Sequence, residues 1–346
     1  GCPAVVKGHP SHPGTSELLG RAMVRAISES GFPHGAFSLL QGVTQELGAA
    51  LVQHPVAQAV GFTGSLRGGR ALFDLASARP LPIPVYAEMG SVNPQFVFPD
   101  ILANSPEDFA EGLFASVTMG NGQFCTNPGL VCVVKHTGLE TFTDRYVALA
   151  EAAPAAPMLN SGMTSAFAAG VEHWQELSEV TMLVGPQVSE CHVAPVLACI
   201  DAESFLKHHE SLLEEVFGPA TMLIMCEDRA QFVELAQIFP GQLCTSVHGH
   251  SDDTLALITT LQRFAGRIVI NGFPTGIETT HAMHHGGPYP ATTHSQHTSL
   301  GQSAIARWLR PVCFQNTPNA WLPAALQDAN PLGIRRLVDG TVETPV

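Results

Sequence analysis

Apolar and polar positions along the first quarter of the chain switch between two periods. Short apolar runs at residues 4–6, 37–40, 59–62 and 85–87 read as buried strands, and the stretches at 16–30, 44–53 and 66–78 carry the spacing of amphipathic helices. Strands alternating with helices of that length predict right-handed crossovers and a parallel sheet, so residues 1–88 are expected to form a doubly wound, Rossmann-type domain. Ligands of such a domain sit beyond the C-terminal ends of the strands.

From Met89 the alternation continues. Strands are expected at 96–98, 130–134, 181–184, 193–197 and 268–272, and helices at 106–119, 139–152, 164–177 and 203–215, with a Pro/Ala connector at 154–157. Residues 89–300 thus read as a second α/β domain. Periodicity fades over 273–300, where Gly, Pro and Thr accompany five histidines: His281, His284, His285, His294 and His297. A short helix is expected at 302–309. The tail after Pro311 is irregular, with apolar islands at Trp321-Leu322 and Leu337-Val338, so 301–346 is expected to drape over the cofactor domain or an oligomer interface. The fold class is therefore α/β, in two lobes with a C-terminal segment.

Two stretches carry candidate chemistry. Gly120-Asn121-Gly122-Gln123-Phe124-Cys125-Thr126-Asn127-Pro128-Gly129 presents a cysteine on a polar loop, where glycines permit close approach of backbone and Asn-Pro-Gly supplies a turn. A free thiol is mostly protonated at neutral pH, so a nucleophilic Cys125 needs a base or a lowered pKa. In Tyr86-Ala87-Glu88-Met89-Gly90-Ser91-Val92-Asn93-Pro94 a carboxylate ends an apolar strand. Strand ends carry sites, and a carboxylate such as Glu88, raised toward neutrality by partial burial, would serve as a general base toward water.

Composition narrows the partners. A formal net charge of −14, from 16 Lys+Arg against 30 Asp+Glu, disfavours nucleic acid and anionic membranes. No apolar run reaches the roughly 20 residues a bilayer requires. Eight cysteines without a CxxC pair read as reduced thiols in a cytoplasm. The histidine tract lacks a metal-binding helix of the HExxH kind, so no metal is expected. There is no GxGxxG fingerprint.

Ala-Glu-Met-Gly-x-x-Asn-Pro around Glu88, Gly-Gln-x-Cys-Thr around Cys125 and Glu214-Glu215-Val216-Phe217-Gly218-Pro219 stand in the order and internal spacing of the aldehyde dehydrogenase superfamily. The chain resembles the later part of such an enzyme. The resemblance implies oxidation of an aldehyde through Cys125, with Glu88 activating the deacylating water. It implies a dinucleotide held by Lys7, Gly64 and Ser65 at the adenosine and diphosphate end, and by Glu215 and Phe217 at the nicotinamide. NAD-preferring members carry a glutamate three residues after the lysine; here Pro10 stands there, so NADP is expected over NAD, which remains possible. Several members have an apolar residue before the Gly-Gly pair, where this chain has His284-His285-Gly286-Gly287, and the substrate is expected to be polar. The branch oxidising 2,5-dioxopentanoate is the most similar, with Thr280, His281 and His285 expected to bind the far carboxylate. A homo-oligomer, dimer or tetramer, is expected. The strands that precede Val5-Val6-Lys7 in the family, and an asparagine of its oxyanion hole, have no counterpart in the sequence; an earlier segment of the polypeptide or another chain is expected to supply them. Two rival readings are a cysteine hydrolase or acyltransferase, using Cys125 with one of sixteen histidines, and a fragment without turnover.

Overall fold

The computed structural model describes residues 2–344. The first part follows the expected alternation: β1 (Ala4–Lys7), α1 (Pro13–Glu29), β2 (Phe37–Leu40), α2 (Gln45–Gln53), β3 (Val60–Thr63), α3 (Leu66–Ser77) and β4 (Val85–Glu88). Helix α1 starts earlier than the periodicity suggests because Pro13, with its preset φ, opens it. The pairing differs from expectation. β1 pairs with β2 and β3 with β4, each in parallel, but the two pairs form separate sheets rather than one. Packing explains the split. Val85, Ala87 and Met89 share a small core with Val52 of α2 and Ala76 of α3, whereas Val5 and Val6 of β1 are 55% and 42% exposed. No buried apolar seam therefore joins the two pairs among the described residues.

The next elements, β5 (Gln95–Val97), α4 (Pro99–Asn104), α5 (Pro106–Thr118) and β6 (Leu130–Val134), begin a larger sheet. Its seven strands run in the order Ala265–Ile270, Gln242–His248, β5, β6, Ala220–Cys226, Val196–Asp201 and Thr181–Val184. Neighbours are parallel except for the last pair, which is antiparallel. Every residue of β6, Leu-Val-Cys-Val-Val, is buried, as a central strand covered on both faces requires. Leu130, Cys132 and Val134 enter one core with Met222, Ile224, Val196 and Ala198. Val131 and Val133 enter the other with Leu223 and Leu197. A one-residue slip would exchange the two cores, so the register is strongly held.

Three expectations change. The strand expected at 193–197 is broken: His192–Val193 pairs with Ala156–Pro157, and Val196–Asp201 joins the large sheet. Pro195 stands at the break, lacking the N–H a continuous ladder needs. The helix expected at 203–215 runs from Ala202 to Leu212 and leaves Glu214 and Glu215 outside; Gly218, with φ of 153°, lies in the irregular stretch that follows. Residues 302–309 form a 3₁₀ stretch, Gln302–Trp308. By packing, the chain divides into a unit running to Arg307 and one from Trp308 onward. The change of sheet after β4 falls inside the first of these units. The second unit contains a hairpin of Arg336–Val338 with Thr341–Glu343. Among the described residues no helix is long and apolar enough to cross a membrane.

Leu223 is fully buried in the second core, and Leu81 is 78% exposed. Leu223→Ala is expected to lower stability by about 2–5 kcal/mol in denaturant unfolding, and Leu81→Ala by less than about 0.5 kcal/mol.

Candidate active site

Glu88 is the last residue of β4, and Cys125 lies on the loop between the 3₁₀ turn Met119–Gly122 and β6. The loop can enter and leave so tightly because Gly120 and Gly122 take φ of 56° and 68°. A Cβ at Gly122 would run into the backbone of Gly218 and Pro219, so the loop rests on that segment. Asn127 Nδ2 donates to Gly218 O at 3.0 Å, fixing the contact.

The strand end after Glu88 grips the same loop. Asn93, fully buried with φ of 46°, donates from Nδ2 to Cys125 O at 2.9 Å, Asn127 O at 2.9 Å and Ser91 O at 3.2 Å. Gln242 Oε1 in turn accepts from the Val92 amide at 2.8 Å, the Asn93 amide at 3.1 Å and Ser91 Oγ at 2.9 Å. Carboxylate strand, cysteine loop and large sheet are thereby one hydrogen-bonded body.

The irregular segment at 273–300 closes the site. It pairs with β4: the Ala87 amide donates to Thr293 Oγ1 at 2.9 Å, the Thr293 amide to Ala87 O at 3.0 Å and the Met89 amide to Ala291 O at 2.8 Å. This pairing carries His285 beneath Glu88. His285 Nε2 lies 2.9 Å from Glu88 Oε1 and 3.3 Å from Cys125 Sγ, and Ser299 Oγ donates to Glu88 Oε2. The three reactive atoms lie within 4.8 Å of one another, a spacing a metal ion could bridge, although the hydrogen bonds among them account for the arrangement without one. His285 and Glu88 are 1% and 5% exposed, and Cys125 is half-buried.

Electrostatics follow from this packing. Burial raises the Glu88 carboxyl, but hydrogen bonds from His285, Ser299 and Cys125 hold it below its ordinary value overall. This corrects the expectation of a raised Glu88. Burial first, then the Glu88 charge, pushes the Cys125 thiol up to about 12. At neutral pH the site therefore rests as carboxylate and thiol.

The other candidates are placed as follows. His285 sits against Glu88 and Cys125, whereas Thr280 and His281 stay exposed on the same segment and the cluster forms without them. Lys7 is half-buried at the C-terminal end of β1, its Nζ 3.3 Å from Gly8 O. The Gly64 amide donates to Glu88 O at 3.1 Å, tying the end of β3 to that of β4. Ser65 caps α3, its Oγ accepting from the Gly68 amide at 3.2 Å. Glu215 and Phe217 line a small cavity with Ser91, Val92 and Asn127, and Asn127 Oδ1 is buried there without a partner. Sequence reasoning missed Gln242 and Ser299, and the clamping role of Asn93. Asn93 at least stood inside a quoted motif; Ser299 and Gln242 lie more than 150 residues from Glu88 and carry no local signal.

An aldehyde dehydrogenase family model matches residues 1–298. The chain belongs to the aldehyde dehydrogenase family. It is 44% identical over 348 residues to alpha-ketoglutaric semialdehyde dehydrogenase 2 of Azospirillum brasilense, and 42% identical over 347 residues to an alpha-ketoglutaric semialdehyde dehydrogenase of Acinetobacter baylyi. Each match takes in 99% of this chain and 66% of the relative, so the chain spans just under two thirds of their length. Among solved structures, a gamma-glutamyl-gamma-aminobutyraldehyde dehydrogenase from Burkholderia cenocepacia aligns with a TM-score of 0.73 at 19% identity, covering 88% of this chain and 60% of that one. Proline utilization A of Bradyrhizobium japonicum gives 0.70 at 24%, covering 84% and 30%. These structural matches share the fold.

Asn93→Ala deletes the donors to three carbonyls of the site. A loss of about 1–3 kcal/mol of stability is expected in thermal or denaturant unfolding, with Asn93→Asp no better because its carboxylate offers acceptors in place of donors.

Proposed function

We propose that this chain carries the nucleophile, base and much of the cofactor platform of an enzyme oxidising a small polar aldehyde to its acid, with 2,5-dioxopentanoate as substrate. The observation that carries the reading is the meeting of Cys125, Glu88 and His285, whose reactive atoms lie within 4.8 Å of one another, in a chain of this family. The two curated relatives named for alpha-ketoglutaric semialdehyde support the substrate, and exposed Thr280 and His281 remain the proposed partners of its far carboxylate. A homo-oligomer in the cytoplasm completes the proposal.

The family uses NAD(P), and this chain's residues fit the nicotinamide end of such a molecule. Asn127 Oδ1 is a buried acceptor without a partner in the cavity that Glu215 and Phe217 also line; a ligand donor would satisfy it. When bound, the nicotinamide accepts hydride. Glu215 and Phe217 are proposed to hold that ribose and ring, and Lys7, Gly64 and Ser65 the far end, with the N-terminus of α3 favouring phosphate. Ser65 Oγ is already engaged as a cap, which leaves backbone amides for that task. Near Lys7 the loop offers His9, Ser11 and His12 and no carboxylate, which favours the 2′-phosphate of NADP.

The chain's own steps are three. Cys125 sulfur adds to the aldehyde carbon, giving a hemithioacetal, and the Cys125 amide, which lies against its own sulfur, is placed to donate to the oxyanion. After the oxidation the acyl group remains on sulfur as a thioester. Glu88, within 4.8 Å of the Cys125 sulfur and hydrogen-bonded on both oxygens, takes a proton from the water that releases the acid.

A second reading, cysteine hydrolase or acyltransferase, draws on the 3.3 Å contact between Cys125 Sγ and His285. It needs no dinucleotide. Aldehyde-dependent reduction of NADP by the purified chain separates the two.

Cys125→Ser is expected to abolish that reduction. Glu88→Gln is expected to acylate slowly and to deacylate more slowly still, giving a single burst of reduced cofactor without sustained turnover; sustained wild-type rates in either variant would remove these roles. kcat/KM is expected to be higher with NADP than with NAD, and the reverse order would refute the cofactor choice.

A further inference from the structure

Three titratable groups meet around one nitrogen. His285 Nε2 is within hydrogen-bond reach of both Glu88 Oε1, at 2.9 Å, and Cys125 Sγ, at 3.3 Å. Nδ1 of the same ring is buried with no partner. A neutral imidazole has its proton on one nitrogen only. A buried N–H without an acceptor is rarer and costlier than a buried lone pair, so the proton belongs on Nε2, where Glu88 accepts it. In that tautomer His285 cannot take a proton from Cys125, since an imidazolium would put an unanswered N–H on Nδ1. The sulfur of Cys125 and a carboxylate oxygen of Glu88 lie within 4.8 Å of one another, with Nε2 beside both.

The geometry points to His285 as a fixed N–H donor in the aldehyde reaction: as the Cys125 thiol passes its proton to Glu88, the Nε2–H bond shifts from Glu88 Oε1 to the new thiolate and holds it for attack. The inference rests on the reading of Cys125 as nucleophile and Glu88 as base. The S–H bond breaks and an O–H bond forms on Glu88, which passes that proton to solvent before it serves the deacylating water. The sulfur electron pair stays on Sγ until the C–S bond forms, when the carbonyl π pair moves to oxygen. His285 keeps its proton throughout. The pocket holds one negative charge before the transfer and one after it, first on Glu88 and then on sulfur, with a donor already aimed at both places. A donor preset where charge develops needs no reorganisation at the moment of reaction.

The ring is held for this role from its own backbone. The His285 amide donates to Thr298 Oγ1 at 2.9 Å, and the Ser299 amide donates to His285 O at 2.8 Å. The same short segment thereby sets the histidine and the serine that accompanies it on Glu88. A thiol pushed up by burial and by the Glu88 charge is the kind that gains most from such a donor.

The test is the pH profile of Cys125 alkylation by iodoacetamide, read by mass spectrometry at that cysteine without cofactor or aldehyde. Glutamine places an amide N–H where His285 has Nε2. His285→Ala is therefore expected to move the profile up by about one pH unit, a tenfold slowing at fixed pH, and His285→Gln to recover most of it. The pair is repeated in Glu88→Gln, so that a change in the Glu88 charge is not mistaken for loss of the donor; the slowing should persist there. An unchanged profile in His285→Ala, equal slowing in the alanine and glutamine variants, or an effect confined to the protein with Glu88 intact would each overturn the role. Should the variants fail to fold, ¹⁵N-histidine spectra of the wild-type chain decide. The ring that responds to Cys125 alkylation should be the neutral Nε2–H tautomer, and an Nδ1–H tautomer or an imidazolium at neutral pH would overturn the inference. Normal NADP-linked turnover with an insensitive profile sinks this role alone. Absent turnover with the expected profile sinks the dehydrogenase reading alone.

Discussion

The side-chain amide of Asn93 is the constraint on which the site depends. Its one nitrogen serves the carbonyls of Cys125, Asn127 and Ser91, so its two hydrogens must be shared among three acceptors. The residue is fully buried and left-handed, which narrows the choice sharply. Glycine would accept the backbone but supply no donor, and aspartate would oppose carbonyl oxygens with more acceptors. Glutamine, with a longer side chain, would overfill a buried position. Asparagine alone combines tolerance of positive φ with a short donor. Through it the strand that ends in Glu88 and the loop that carries Cys125 share one geometry, which Gln242 extends into the large sheet.

Once that geometry is set, electrostatics limit what the pocket can hold. Cys125 and Glu88 lie close in a largely buried site, and two negative charges there would repel at short range. The opposite shifts of the two groups, Glu88 down and Cys125 up, express that limit. Ser299 and His285 both donate to the Glu88 carboxylate, so the single charge has a solvation shell built from protein. The thiol keeps its proton until a carbonyl carbon is present to share the sulfur electrons, which protects an otherwise reactive group in the resting state.

Much of this was legible in the sequence where the signal is local. The glycine-punctuated loop, the apolar run of β6 and the strand ending in Glu88 each follow from a few adjacent residues, and the structure places them as expected. What the sequence does not show is mostly tertiary. Only the loop of His285 is visible there, and its contact with Glu88 is not; the pairing of Ala87 with Thr293, which brings it to Glu88, joins positions some two hundred residues apart. The raised carboxyl expected for Glu88 considered burial but not the donors that outweigh it. Glu214 and Glu215 continue an acidic helical pattern that the chain abandons after Leu212, where an irregular segment instead packs against Asn127 and Gly122. A single sheet was expected from βα alternation, yet alternation fixes the hand of each crossover and leaves the neighbour of each strand open.

The segment with least periodicity turns out to do most of the assembly. Glu88 belongs to the small β3–β4 pair, Cys125 to the large sheet, and no shared strand joins them. Residues 285–299 bridge the two. They pair with β4 through Ala291 and Thr293, and they lie so close to the large sheet that a Cβ at Gly266 would meet the Gly286 carbonyl and one at Gly287 the Gln242 carbonyl; the Gly241 amide also donates to Tyr289 O at 3.2 Å. Close backbone contact of that kind demands Gly and tolerates no regular apolar pattern, which is why the sequence loses its rhythm there. The irregularity reflects a segment packed through its backbone rather than through a hydrophobic face. It follows that the distances among Cys125, Glu88 and His285 are set by how this segment seats on both sheets at once, and that substitutions at Gly266 or Gly287 would disturb the chemistry without touching any group that takes part in it.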